Sequence, residues 1–106
     1  MSSKNRRLQY SLAINEALHQ MMLLDKSVFL IGQGVKSPWY VGNTVMGLLE
    51  EFGPGRVIDT PVSENAVTGT AVGAAIAGMR PMFLFLIWKK RMYLNMVLVL
   101  INCLII

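Results

Sequence analysis

Among the 106 residues, the side chain best placed to do chemistry is Glu64. It follows Thr60-Pro61-Val62-Ser63, where a short apolar run of strand character gives way to a run of helical character. A carboxylate in the first turn of a helix faces the positive end of the helix dipole. At the carboxyl end of a strand it also stands where open α/β sheets hold their ligands, ready to accept a hydrogen bond or share a proton. The plain alternative is a helix-start acid that offsets the dipole and does nothing more. The other reactive residue types are sparse. His19 is the sole histidine, so a Ser-His-Asp arrangement would have to use it. It falls on the polar face of a helical segment with no partner in view, which reads as a solvated histidine. Cys103 is the sole cysteine, which excludes an internal disulfide and a cysteine-built zinc site. Gly32-Gln33-Gly34 follows a strand-like run, but the third glycine of a dinucleotide fingerprint would be residue 37, which is Ser37. A strand-to-loop turn accounts for it better.

The elements that must position Glu64 are readable from periodicity. Apolar residues at 8, 12, 13, 17, 18, 21 and 22 recur at helical spacing over 8–24, with Asn15, Glu16, His19 and Gln20 on the polar face. Val28-Phe29-Leu30-Ile31 is a continuous apolar run, the pattern of a strand buried on both faces. Residues 32–43 read as a loop containing Trp39-Tyr40, and 44–52 as a short helix stopped by Gly53-Pro54-Gly55. Arg56-Val57-Ile58-Asp59 reads as a second strand. Ser63 has the position of an N-cap for a helix over 64–78 built mostly of small residues. Gly69, Gly73 and Ala77 share one face of that helix. Interior glycines cost about 1 kcal/mol each relative to alanine, so a close helix–helix contact, between subunits for instance, is expected there. Met79-Arg80-Pro81 ends the helix, and 82–87 reads as a third strand. The predicted class is therefore α/β with an incomplete parallel sheet of about three strands.

Composition bounds the rest. The hydrophobic fraction is 54% and the charged fraction 15%, which excludes disorder. The net charge of +4 does not form a basic stripe interleaved with aromatics, so no nucleic-acid partner is expected. All six acids lie from Glu16 to Glu64, and the excess of bases sits in Lys89-Lys90-Arg91 and near the N-terminus. The apolar stretch 92–106 spans about 22 Å as a helix, short of the ~30 Å bilayer core. No targeting segment is visible, which predicts a cytoplasmic protein.

The run from Val28 to Pro81 carries Phe29-Leu30-Ile31-Gly32-Gln33-Gly34-Val35, Arg56-Val57-Ile58-Asp59-Thr60-Pro61-Val62-Ser63-Glu64 and Gly69-Thr70-Ala71-Val72-Gly73-Ala74-Ala75. In these motifs the chain resembles the beta subunit of the thiamine-diphosphate-dependent 2-oxo acid dehydrogenases of pyruvate and branched-chain type. The likeness covers about residues 8–86, the opening part of a transketolase-like pyrimidine-binding domain. It implies thiamine diphosphate as cofactor, with Glu64 as the catalytic residue that hydrogen-bonds the aminopyrimidine ring. Val62 and Leu86 would be apolar contacts to that ring. The magnesium ion and diphosphate would be held by a partner alpha subunit in a heterotetramer, and a lipoyl-bearing acyltransferase would receive the acyl group. In a eukaryote the compartment would be the mitochondrial matrix. Glu64 would be buried in the assembled enzyme and exposed in this chain alone.

The chain leaves the pattern after Met82-Phe83. An aromatic expected to stack on the pyrimidine would fall at Lys90, which offers no such face. The expectation is a partial pyrimidine-binding domain over 1–87 and an apolar tail over 88–106, read out of frame from about 84–88 or foreign to the family. Such a chain would be inactive alone. The second reading is a non-catalytic, membrane-associated or interaction protein whose tail is an anchor.

Overall fold

A computed structural model describes residues 7–37, 43–87 and 95–100, with 85–87 and 95–100 described by their backbone. The Trp39-Tyr40 pair, the Lys89-Lys90-Arg91 cluster and Cys103 lie outside the described residues. The elements run α1 (Tyr10–Leu24), β1 (Val28–Gln33), α2 (Leu48–Phe52), β2 (Val57–Thr60), α3 (Glu64–Ile76), β3 (Arg80–Ile87) and β4 (Asn95–Leu100). Their spatial order in the sheet is β2-β1-β3-β4. The first three strands are parallel, with Leu30 opposite Val57 on one side and Met82 on the other.

β1 is the axis of the domain, and its continuous apolar run serves both faces of the sheet. Val28 and Leu30 pack with Leu18 and Met22 of α1, Leu48 of α2, Val57, Met82 and Leu84. Phe29 and Ile31 point the other way, against Val67 and Ala71 of α3 together with Phe83. Alternate residues of a strand face opposite sides, so a strand covered on both must be apolar throughout. The result is three layers, α1 and α2 over one face and α3 over the other. This follows from two right-handed crossovers that travel in opposite directions across the sheet.

Arg56 fastens α1 and α2 to the sheet. Its guanidinium Nη2 donates to the carbonyls of Met22 (2.7 Å), Asp25 (2.9 Å) and Val28 (2.7 Å), while Nε donates to Val28 at 3.1 Å. The carbonyls at a helix C-terminus lack intrahelical partners, and here a cation supplies them. The guanidinium also lies over the Phe52 ring, 5.0 Å from its centroid. Asp25 accepts from the Ser27 amide (2.8 Å) and hydroxyl (2.6 Å) and pairs with Arg80 at 3.2 Å. These bonds, led by the Ser27 hydroxyl, hold its carboxyl below its ordinary value.

Three details differ from the sequence reading. The second helix begins at Leu48 rather than near Thr44, because Gly47 sits at φ 79° and Asn43 at φ 66°. Those left-handed residues make 43–47 a turn, held on α1 by Asn15, whose Nδ2 donates to the carbonyls of Thr44 (3.0 Å) and Met46 (2.9 Å). His19 is not solitary: its Nδ1 lies 2.6 Å from a Glu51 carboxylate oxygen, and its ring is tilted against Phe52. Part of the expected tail is a strand, since Asn95–Leu100 pairs antiparallel with β3 from Met82 to Ile87. A parallel sheet ending at β3 presents unpaired backbone groups, and a segment holding Val97 and Val99 suits that edge. Among the described residues no helix is long and apolar enough to cross a membrane.

Candidate functional site

The strand order places a switch point at the carboxyl ends of β1 and β3. The chain leaves β1 outward to β2 and then returns across β1 to β3, so the connections diverge there. Four pieces of chain converge at that end. β1 brings Gln33, β2 ends with Thr60 opposite it in register, and α3 begins at Glu64. β3 contributes Phe83 and Leu84, level with Ile31 and Gly32. The approach of β1 to β3 is close at Gly32, where a Cβ would collide with the Leu84 carbonyl oxygen. Only glycine lets the two backbones meet at that distance.

The turn after β1 is held to β2 by a second contact. The Gly34 amide donates to Asp59 Oδ1 at 2.8 Å, with Gly34 at φ 74°. From Thr60 the chain passes through Pro61, Val62 and Ser63 into α3. Ser63 stands at the N-cap position, as its place in the sequence suggests, yet its side chain makes no capping hydrogen bond. The first turn of α3 is therefore met by the Glu64 carboxylate alone among side chains, a favourable charge at the positive end of the helix.

These residues line a shallow recess that is open to solvent. Its lining is Gln33, Thr60, Pro61, Ser63, Glu64, Val67, Phe83 and Leu84. Val67, Phe83 and Leu84 are buried and give it an apolar floor, whereas Glu64 and Ser63 are exposed at its rim. The floor is thus apolar, and a carboxylate stands at its margin. The other side of the recess is open. Among the described residues no group of three or more His, Cys, Asp or Glu side chains is arranged to hold a metal.

The three residues singled out from the sequence fall differently. Glu64 lines the recess. Val62 does not, and it is 68% exposed on the turn leading into α3. Leu86 lies near the end of β3, opposite Met96 in register, with its side chain outside the description. The small-residue face of α3 is open in the single chain, since a Cβ at Gly69 or Gly73 would touch nothing within 4 Å. Sequence reasoning missed Thr60, whose hydroxyl oxygen is buried at the recess without a hydrogen-bond partner. A threonine ending a strand carries no signal by itself; only the packing singles it out. It also missed Arg56, whose partners lie 28 to 34 residues away.

A family described as "Transketolase, pyrimidine binding domain" matches residues 6–92. The chain belongs to this family. The match runs from before α1 through β3, and so takes in every residue of the recess. Among curated proteins, the pyruvate dehydrogenase E1 component subunit beta of Rickettsia conorii is 44% identical over 80 residues, 76% of this chain and 24% of that protein. The mitochondrial subunit beta-2 of the same component from Oryza sativa is 44% identical over 80 residues, 21% of its length. The 2-oxoisovalerate dehydrogenase subunit beta of Bacillus subtilis is 43% identical over 74 residues, 70% of this chain and 23% of that protein. The chain thus spans about a quarter of the length of the curated relatives it matches. The pyrimidine-binding domain seen here is accordingly a partial one, three parallel strands with their helices and an antiparallel edge strand.

Proposed function

We propose that this chain supplies the pyrimidine-binding surface of a 2-oxo acid dehydrogenase E1 beta-type subunit, with Glu64 as the carboxyl group that shares a proton with the ring. The carrying observation is the position of Glu64, an exposed carboxylate at the start of α3 on the rim of an apolar recess at the switch point of the sheet. The names of the relatives, pyruvate dehydrogenase and 2-oxoisovalerate dehydrogenase beta subunits, support a 2-oxo acid as substrate.

The residues present fit one side of the aminopyrimidine of thiamine diphosphate. Phe83, Val67 and Leu84 offer an apolar floor, and the Glu64 carboxyl group can share a proton with a ring nitrogen. When bound, this cofactor supplies the electron sink for decarboxylating a 2-oxo acid. Glu64 holds a proton at the ring nitrogen and so sets the protonation state of the ring. Pro61 fixes the approach of the chain to α3, which keeps the carboxylate at the rim. Val62 and Leu86 would extend the apolar contact once a partner covers the open side.

The open half of the recess calls for a second surface. We assign it to an alpha subunit in a heterotetramer, which would also hold magnesium and the diphosphate. A lipoyl-bearing acyltransferase would then accept the acyl group. By itself the chain would be inactive, because half the pocket is missing. We place it in the cytoplasm, or in a eukaryote in the mitochondrial matrix; the name of the Oryza sativa relative includes "mitochondrial".

A chimera tests this reading. Residues 8–86 replace the matching segment of the Rickettsia conorii beta subunit, which is co-expressed with its alpha partner. Turnover of pyruvate or a branched 2-oxo acid that depends on thiamine diphosphate is expected. A well-folded chimeric heterotetramer that decarboxylates none of them would contradict it.

A further inference from the structure

Thr60 is the last residue of β2, paired in register with Gln33, and both line the recess beside Glu64. Its hydroxyl oxygen is, among the described residues, the one buried side-chain nitrogen or oxygen without a hydrogen-bond partner. A buried hydroxyl left unpaired is unfavourable, and valine would fill nearly the same space without that penalty. The structure therefore holds a donor and acceptor in reserve at the recess beside Glu64.

Resting on the reading of this recess as a pyrimidine surface, we infer that Thr60 is a second hydrogen-bonding residue for the ring. Its chemistry complements that of Glu64. The carboxyl group shares a proton with one ring atom, whereas a hydroxyl can donate to or accept from another. Two such groups on neighbouring elements, the end of β2 and the start of α3, fix a planar ring in its own plane, which one contact cannot do. Thr60 is thus a binding and orienting residue, and the ligand class it favours is a heteroaromatic ring with polar atoms on adjacent edges.

The test uses the full 106-residue chain and the ring half of thiamine, 4-amino-5-hydroxymethyl-2-methylpyrimidine, followed by NMR at the Thr60 methyl and the Glu64 amide. Saturable shifts at both are expected for the native sequence. Thr60→Val should weaken binding roughly three- to tenfold, the value of one net hydrogen bond, with an unchanged or higher urea midpoint. Thr60→Ser, which keeps the hydroxyl, should stay within about twofold. Thr60→Ala, which removes it with a smaller side chain, is read like valine. If Glu64→Gln weakens binding while Thr60→Val and Thr60→Ala do not, the role of Thr60 is overturned and the proposed function stands. If none of these variants matters, both fall. Absence of saturable shifts in the native chain also overturns the inference, and leaves the proposed function to its chimera test.

Discussion

Replacing Arg56 with alanine should be among the most damaging single changes to this fold. Its Nη2 and Nε groups carry three hydrogens toward three carbonyls, those of Met22, Asp25 and Val28. Hydrogen bonds from a charged donor are worth about 1.5–3 kcal/mol each at best. These are part-buried, and water can replace some of them, so ~1 kcal/mol apiece is the appropriate scale. The stacking on Phe52 adds about 0.5–1 kcal/mol. The expected loss is ~2–4 kcal/mol, a large share of the ~5–15 kcal/mol that holds a small domain together. Equilibrium urea unfolding of the chain, followed by circular dichroism, should show the midpoint falling by about 1 M or more. Arg56→Lys should recover less than half of that, since an ammonium cannot serve the carbonyls with a planar fork. An unfolding free energy for Arg56→Ala within about 0.5 kcal/mol of the native chain would refute this and show that water satisfies these carbonyls equally well.

Other perturbations follow the same logic. Gly32→Ala should cost about 1–3 kcal/mol in the same unfolding assay, because its Cβ meets the backbone carbonyl of Leu84, which cannot swing aside. Gly73→Ala should instead stabilise the isolated chain by up to ~1 kcal/mol, since the added methyl meets nothing and helix propensity rises. Asp25 has its carboxyl lowered in the fold, first by the Ser27 hydroxyl. A lowered carboxyl stabilises the folded state above the ordinary aspartate value near ~3.9 and loses that contribution as pH falls through the folded value. Asp25→Asn should therefore lower the thermal midpoint at neutral pH, with the difference from the native chain shrinking as the scan moves below about pH 4.

Much of the frame was legible because it rests on local pattern. The four-residue apolar run of β1 announced a strand covered on both faces, and Val28/Leu30 and Phe29/Ile31 do divide between the two layers. Gly53-Pro54-Gly55 stops α2, and α3 starts at Glu64. What sequence reading missed is non-local or geometric. Glu51 lies 32 residues from His19, and only the packing of α2 on α1 brings them together. The left-handed turn at Gly47 shortens α2 although its residues fit a helical pattern. Arg80 and Pro81 were read as a helix end, yet they open β3. Pro81 precedes the rungs shared with β4, so its missing N–H falls outside that ladder. At the recess, Glu64 stood out in the sequence as an acid at a helix start, while Thr60 became visible only through what its hydroxyl lacks.

The account turns on what the carboxylate of Glu64 does for the ring it is proposed to meet. Glu64→Gln keeps the size and the helix start but removes the group that can hold a proton. In the chimeric beta subunit assembled with its alpha partner, kcat for the 2-oxo acid should fall about 10²- to 10⁴-fold, the range for losing a positioned acid–base group. A kcat within about twofold of the unsubstituted chimera would contradict the central claim.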